Sequence, residues 1–155
     1  MQLLNFPQYE FRIIQKDGKH KVFDIVRKRY VALTPEEWVR QHVLHHLAFE
    51  KEVPLSLIGV EVGLKLNSLA KRADVVVYSR SGKPLMLVEC KAPAIAVTQQ
   101  VFEQAAGYDM VFHVKFMLVT NGLTHFCCSF NFTEHSYEFL RDIPTYVKMN
   151  SESES

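Results

Sequence analysis

The sequence predicts a protein of the α/β (α+β) class, because strand-like and helix-like segments follow one another along the chain. Residues 73–78 form a run rich in β-branched side chains, which favours a strand. A second apolar run, residues 85–91, follows a turn rich in Ser, Gly and Pro. A helix is marked by Thr34 as a candidate N-cap and by Pro35 at the first helical position.

The other elements are predicted from turn residues and capping residues. Asp17-Gly18 lies between two apolar runs and indicates a hairpin within a β-rich segment, residues 11–31. Glu37 completes a capping box with Thr34, and the helix is expected to run to about Glu50. Further strands are expected over residues 57–66, 116–120 and 124–130, a helix over 98–112, and a short helix over 134–141.

The length of 155 residues suits one domain, which we place at residues 1–149, followed by a disordered polar tail, residues 150–155. No apolar run is long enough to span a membrane, and the N-terminus lacks the pattern of a signal peptide. Three cysteines form neither a disulfide framework nor a zinc-ligand spacing. These features exclude membrane-spanning and disulfide-stabilised secreted proteins, and favour the cytoplasm.

The net charge of +1 gives little support to a dedicated nucleic-acid binder. A basic excess can still be local, and two short clusters are candidates, residues 27–29 and 71–72. The alternative for any short basic run is a solvated surface. Charge alone therefore leaves nucleic-acid binding open.

Chemistry is indicated at the end of the second apolar run. Glu89 and Lys91 are two residues apart, so on a strand they share a face with Leu85 and Leu87. Met86, Val88 and Cys90 would point the other way. An apolar strand that ends with an acid and a base on one face is a common location for catalytic groups in α/β folds.

The expected hairpin register brings a second carboxylate to this position. If Ser81-Gly82 is a two-residue turn, Tyr78 lies opposite Leu85 and Asp74 lies opposite Glu89. Opposed residues have Cβ atoms about 4.5–5.5 Å apart, and two carboxylates at that distance repel each other. A divalent cation between them would relieve the repulsion, and oxygen ligands favour Mg²⁺ or Mn²⁺. The alternative is that Asp74 marks the start of a strand and that Glu89 and Lys91 form an exposed ion pair.

The histidines and the paired cysteines suggest no second site. His42 and His46 have the spacing of a helical two-histidine zinc site, but no Glu lies between them in the required order and no third ligand is evident. Cys127 and Cys128 alternate on a predicted strand, so one is expected in the core and the other at the surface. We therefore expect no zinc site.

Asp74 followed by Glu89-Cys90-Lys91 resembles the Asp…Glu-x-Lys signature of the PD-(D/E)XK nuclease superfamily, with Ala73 in place of the usual Pro. Gln104 and Tyr108 resemble the Gln-x-x-x-Tyr motif of its RecB-like branch. The sequence around these motifs, over roughly residues 10–130, is similar to that of the N-terminal nuclease domain of type I restriction enzyme R subunits. The matching stretches are residues 30–37, 72–78, 88–93 and 120–122.

The resemblance implies a restriction-endonuclease-like fold, a mixed central β-sheet flanked by helices. It also implies a metal-dependent DNA endonuclease, with Mg²⁺ or Mn²⁺ bound by Asp74, Glu89 and the carbonyl of Cys90. Lys91 would position or activate the attacking water. Gln104 and Tyr108 would approach the site or the bound DNA, together with Arg72 of the basic cluster at residues 71–72.

The family also places an acid on the first helix, where Glu36 and Glu37 are both available. Glu36 falls on the apolar face of the helix with Val43, and Glu37 fits the capping role, so Glu36 is the expected site acid. The alternative is that both are favourable charges at a helix N-terminus.

The expected partners are DNA and a helicase, a translocase or another restriction–modification subunit, because the sequence has no Gly-x-x-x-x-Gly-Lys-Ser/Thr loop for a motor of its own. A second copy of the chain is a further candidate partner, and a membrane is not expected. The alternative function is a module that holds DNA or a partner on a nuclease fold without cleaving.

Overall fold

The computed structural model describes residues 1–152, which form two β-sheets and three α-helices. In chain order the elements are β1 (Ile13–Lys16), β2 (Lys19–Asp24), β3 (Arg29–Ala32), α1 (Pro35–Phe49), a 3-10 turn (Leu55–Leu57), β4 (Ile58–Leu66), β5 (Leu69–Tyr78), β6 (Pro84–Cys90), α2 (Gln99–Met110), β7 (Phe116–Thr120), β8 (His125–Asn131), β9 (Ser136–Leu140) and α3 (Tyr146–Glu152). In these residues every helix is too short or too polar to cross a membrane.

The central sheet has six strands in the order β4-β5-β6-β7-β8-β9, and β1, β2 and β3 form a separate antiparallel sheet. Within the central sheet only β6 and β7 are parallel. The helix α2 connects them and returns the chain to the end of the sheet at which β6 begins. The predicted mixed central sheet flanked by helices is confirmed.

Both faces of the central sheet are covered. Val43 and Leu47 of α1 pack in the larger apolar cluster with Val75 and Leu118 of the sheet. On the other face, Phe102 and Ala106 of α2 pack with Met117 and Val119 of β7. Neighbouring residues of β7 therefore lie in different clusters, as the alternation of a strand requires.

The capping and turn residues explain where the predicted helices and the first hairpin begin and end. The Thr34 hydroxyl accepts a hydrogen bond from the Glu37 amide at 3.0 Å and caps α1, which ends before Glu50. Asp17 and Gly18 both have positive φ and join β1 to β2. The first predicted helix and hairpin are confirmed.

Two predictions near the C-terminus are wrong. Residues 134–141 contain the strand β9 rather than a short helix, because Tyr137 and Phe139 pair across to β8 and pack on Phe102 of α2. Aromatic side chains at alternate positions favour a strand when an edge is available. A disordered tail is expected over residues 150–155, but residues 150–152 belong to α3; residues 153–155 lie outside the described part of the chain.

The turn between β5 and β6 also differs from the prediction. The Ser79 amide donates to the Lys83 carbonyl at 2.8 Å, so the turn spans residues 79–83 rather than Ser81-Gly82 alone. The register shifts next to Tyr78, which lies opposite Pro84 and not opposite Leu85. Leu85 consequently packs in the cluster of Met86 and Val88, and not with Leu87 as predicted.

The cysteine prediction is wrong in one respect. Cys127 and Cys128 alternate on β8, but both are buried, in the two clusters on opposite faces of the sheet. Because helices cover both faces, alternation on this strand does not bring either thiol to the surface.

Candidate functional site

Asp74 lies in the middle of β5, and Glu89 lies one residue before the end of the neighbouring strand β6. Val75 lies opposite Val88, and the same register extended by one residue places Asp74 opposite Glu89. The Asp74 Oδ2 atom accepts a hydrogen bond from the Cys90 amide at 2.7 Å. This bond fixes the Asp74 carboxylate of β5 against the end of β6.

Glu89 lies between two ammonium groups. Its Oε2 atom is 3.4 Å from the Nζ atom of Lys71, and its Oε1 atom is 4.0 Å from the Nζ atom of Lys91. Lys91 is held by its backbone amide, which donates to the Thr120 carbonyl at 2.8 Å. Both ion pairs are long, so the carboxylate keeps lone pairs for another ligand.

An open cleft of about 280 Å³ lies above Glu89 and Lys91. The side chains that line it come from β5, β6, α2 and β7; they are Lys71, Glu89, Lys91, Val101, Gln104, Ala105, Tyr108 and Val119. The structure thus brings Gln104 and Tyr108 to the same cleft as Glu89 and Lys91. Asp74 does not line this cleft and contacts α1 instead.

Arg40 of α1 is the contact of Asp74 on that side, and no motif in the sequence marks it. Its Nη2 atom is 3.3 Å from Asp74 Oδ1, while its Nη1 atom lies 2.9 Å from Glu37 Oε1 and 3.4 Å from Glu61 Oε1. Burial would lower the pKa of Arg40, but the charges of Glu37 and Asp74 outweigh it and raise the pKa. Arg40 is therefore a permanent positive charge beside Asp74.

A buried polar network holds Arg40 in place. The Glu37 carboxylate accepts hydrogen bonds from Arg27, Arg40 and the Gln41 amide, rather than from the Thr34 amide as a full capping box would require. Thr34 does cap the helix, but the reciprocal half of the predicted capping box is wrong. Glu37 is thereby committed to the network between α1 and the loop after β2.

Glu36 is exposed at the first turn of α1 and forms no ion pair within residues 1–152. Burial raises the pKa of the Cys90 thiol, and the negative charges of Asp74, Glu89 and Glu36 raise it further. Glu36 is therefore within electrostatic reach of the site, while Glu37 is occupied elsewhere.

Lys71 is a second contact of the site that no motif in the sequence marks. Its ammonium pairs with Glu89 and with Asp109 of α2, and lies 5.4 Å from the centroid of the Tyr108 ring. Burial would lower the pKa of Lys71, but the charges of Asp109 and Glu89 raise it. The basic pair at residues 71–72 indicated its charge, but only the fold shows that it faces Glu89.

Arg72, the other member of this pair, points away from Glu89. Its Nη2 atom lies 2.9 Å from Glu61 Oε2, and its side chain is 70% exposed. Arg72 therefore does not line the cleft, and any contact with DNA would have to be made along β5 outside it.

The buried Asp109 predicts a pH dependence of stability. Burial raises its pKa from 3.8 to about 6, although Lys71 opposes the shift. Because the folded state keeps a proton that the unfolded state has lost, this group's contribution to stability declines as the pH rises from about 4 to about 6. Asp109→Asn should remove that decline, a difference of roughly 2–3 kcal/mol in the free energy of unfolding across the interval.

Urea unfolding of wild type and Asp109→Asn at several pH values measures this difference. The histidines that also titrate in this range are present in both proteins, so they cancel. A difference in unfolding free energy that stays constant from pH 4 to pH 6.5 would contradict the assignment.

The donor atoms fit a hard divalent cation that keeps part of its water shell. Asp74 and Glu89 supply carboxylate oxygens from opposed positions, and the Cys90 carbonyl belongs to the residue whose amide binds Asp74. Within residues 1–152 no group of three or more His, Cys, Asp or Glu side chains is placed to hold a metal ion. Two carboxylates suit Mg²⁺, which usually takes its other ligands from water and substrate phosphates, and they do not suit zinc.

Comparison with known proteins agrees with this fold. A fragment structure from Vibrio vulnificus YJ016, described as the HsdR subunit of a type I restriction enzyme, superposes with a TM-score of 0.52 at 24% sequence identity. The match covers 79% of this chain and 26% of that one, so the chain spans about a quarter of the length of the solved fragment. No curated protein matches the chain.

A family model also matches the sequence, over residues 35–144. The matched region begins with α1 and runs through every strand of the central sheet, so it includes Asp74, Glu89 and Lys91. It takes in well over half of the chain. The chain therefore belongs to the family described as type I restriction enzyme R protein N terminus (HSDR_N).

Proposed function

We propose that this chain is a Mg²⁺- or Mn²⁺-dependent DNA endonuclease of the PD-(D/E)XK type, equivalent to the nuclease part of a type I restriction R subunit. The observation that carries the proposal is the Asp74 carboxylate bound to the Cys90 amide, between Glu89 and Lys91, which line an open cleft. Membership of the R protein N-terminal family supports the same reading.

Asp74, Glu89 and the Cys90 carbonyl are the residues that would hold the ion. When bound, the ion polarises a phosphate oxygen and lowers the pKa of a bound water. Lys91 lies at the mouth of the cleft, 36% exposed, where its ammonium can orient the attacking water or a phosphate oxygen. Water would attack phosphorus as the bond to the 3′-oxygen breaks in line, and the proton that the water loses would pass through solvent to the leaving oxygen, giving a 5′-phosphate and a 3′-hydroxyl.

The lysines and arginine around the carboxylates balance their charge before any ligand arrives. Arg40 contacts Asp74, and Lys71 contacts Glu89, so each carboxylate has a positive charge beside it. Gln104 and Tyr108 line the wall of the cleft formed by α2, which is where the DNA backbone would pass. Glu36 would add a further negative charge near the ion.

The direct test is cleavage of supercoiled plasmid and linear duplex DNA by the purified 155-residue chain. We expect nicking and linearisation with Mg²⁺ or Mn²⁺, and none with EDTA. Asp74→Asn, which preserves the size of the side chain, should remove the activity. Equal behaviour of wild type and Asp74→Asn across metals and DNA forms would refute the proposal.

A second candidate is a module that binds DNA or a partner subunit on the same fold without cleaving. It is favoured by one observation, that Arg40 and Lys71 already neutralise the two carboxylates without a metal. Duplex binding in the absence of any heat of Mg²⁺ or Mn²⁺ binding by calorimetry would support this candidate over the first. In either case DNA and another restriction–modification subunit are the proposed partners.

A further inference from the structure

The hairpin between β4 and β5 extends beyond its neighbours in the sheet. Its pairing continues from Gly63 opposite Arg72 to Leu66 opposite Leu69, whereas the recorded pairing of β5 with β6 begins at Val75. β4 is also the edge strand of the sheet. We call residues 63–72 the ribbon, and its residues 65–70 are all exposed.

The ribbon concentrates positive charge in a nearly neutral chain. It contains Lys65, Lys71 and Arg72 and no acidic residue, while the whole chain has a net charge of +1. The low overall charge therefore hides a local basic excess at this end of the sheet.

One face of the ribbon carries two cationic side chains and otherwise only the small residues Gly63 and Ala70. Lys65 lies opposite Ala70, and Gly63 lies opposite Arg72, so these four residues share a face. A Cβ atom added at Gly63 would meet no atom within 4 Å. The backbone of this face is open to close approach, with a cation on either side of it.

The two cations of this face are available to a ligand. Lys65 forms no hydrogen bond or ion pair within residues 1–152 and is exposed. Arg72 pairs with Glu61, but the side chains are 70% and 39% exposed, and such surface pairs are weak. A phosphate that accepts two hydrogen bonds from the guanidinium can replace the carboxylate.

The ribbon is continuous with the candidate site. A groove of about 360 Å³ follows residues 63–65 and 70–72, and Lys71 lines both this groove and the cleft with Glu89 and Lys91. The Tyr108 hydroxyl donates to the Ala70 carbonyl, which fixes the base of the ribbon against α2.

We propose that the ribbon is a DNA-binding arm, whose face of Gly63, Lys65, Ala70 and Arg72 contacts the phosphate backbone of the duplex beside the cleft, while Lys71 on the opposite face lines the cleft itself. A two-stranded ribbon has dimensions that the major groove of DNA accepts. Contacts of this kind position the duplex and carry no sequence preference of their own. The inference rests on the proposed function for its substrate, but it concerns binding and not the reaction.

The test is duplex binding by the full chain in EDTA, measured by fluorescence anisotropy over a range of salt concentrations. Lys65→Ala and Arg72→Ala should each weaken binding several-fold and lower the slope of log K against log salt by about 0.9, the value for one phosphate contact. Lys65→Arg should retain wild-type affinity. Lys19→Ala, at the exposed tip of the β1–β2 hairpin, is the matched control and should bind as wild type does.

Binding by Lys65→Ala and Arg72→Ala that equals binding by Lys19→Ala would overturn the inference, and so would a wild-type chain that does not bind duplex DNA. Circular dichroism melting confirms that each variant is folded. The two proposals fail separately, because cleavage is not measured here. If the chain binds DNA through the ribbon but never cleaves it, only the proposed nuclease function is overturned. If the chain cleaves DNA and Lys65→Ala binds it as the wild type does, only the proposed DNA-binding role of the ribbon is overturned.

Discussion

Asp74→Asn and Glu89→Gln will each reduce metal-dependent DNA cleavage by about 10³-fold or more, because a metal ion supplies several kcal/mol of transition-state stabilisation and each tenfold in rate is about 1.4 kcal/mol. Both changes keep the size of the side chain and remove one negative charge. Lys91→Ala should slow cleavage by about 10²–10⁴-fold, the range for a positioned group that handles protons.

A measurement of metal affinity distinguishes the proposed metal ligands, Asp74 and Glu89, from Lys91, which is proposed to act on the water. Calorimetry with Mn²⁺ should show weakened or absent binding for Asp74→Asn and Glu89→Gln, and near wild-type binding for Lys91→Ala. Glu103→Gln, an exposed acid of α2 whose contact is Gln99, is the matched control and should leave both properties unchanged. Cleavage that survives in Glu89→Gln would show that Glu89 is not a ligand of a required ion.

Asp24→Ala is the substitution with the largest expected effect on stability, about 3–5 kcal/mol, the range for breaking a buried charge network by removing one partner. Asp24 has 0% exposure and accepts hydrogen bonds from the amides of Val26 and Arg27, from Arg27 Nε at 2.8 Å and from Gln41 Nε2 at 2.9 Å. Its loss would leave Arg27 with one fewer counter-charge beneath α1.

The midpoint of urea unfolding at pH 7 measures this effect. Asp142→Ala, the same substitution at an exposed site, is the control and should change stability by less than about 0.5 kcal/mol. If Asp24→Ala were no more destabilising than Asp142→Ala, the network between β2 and α1 would not contribute to stability.

The contribution of Asp24 to the free energy of unfolding also depends on pH. Burial alone would raise its pKa, but hydrogen bonds from Arg27 and Gln41 and the charge of Arg27 outweigh it and lower the pKa below 3.8. Because the folded pKa is depressed, the stability that Asp24 contributes is present above pH 3.8 and is lost as the pH falls through the folded value. The wild type and Asp24→Ala should therefore converge in stability only in strong acid.

Local patterns in the sequence were sufficient for much of the fold and of the site. Thr34 and Thr98 each cap the helix that follows, and β-branched runs mark the central strands. The register that pairs Val75 with Val88 is also a local property, and the longer turn did not disturb it, although Leu85 next to the turn changed face. The extra residue of the longer turn is accommodated by the register shift next to Tyr78, so Val75 still pairs with Val88.

Contacts made over long distances along the chain were not predictable in this way. Arg40 meets Asp74 across 34 residues, and Lys71 meets Asp109 across 38. Nothing local in the sequence indicates that a helix places its arginine against that strand, or that α2 turns an acid toward Lys71. The strand β9 was mistaken for a helix for the same reason, since its partner is an edge supplied by β8.

The most direct test of the central claim is a crystal of the chain soaked in Mn²⁺, with the anomalous signal measured at the manganese edge. We predict one strong peak within ligand distance of both the Asp74 and Glu89 carboxylates, near the Cys90 carbonyl, with Lys91 beside it. Full Mn²⁺ occupancy elsewhere, or no peak between these carboxylates at millimolar metal, would contradict the assignment of this site as a metal-dependent nuclease centre.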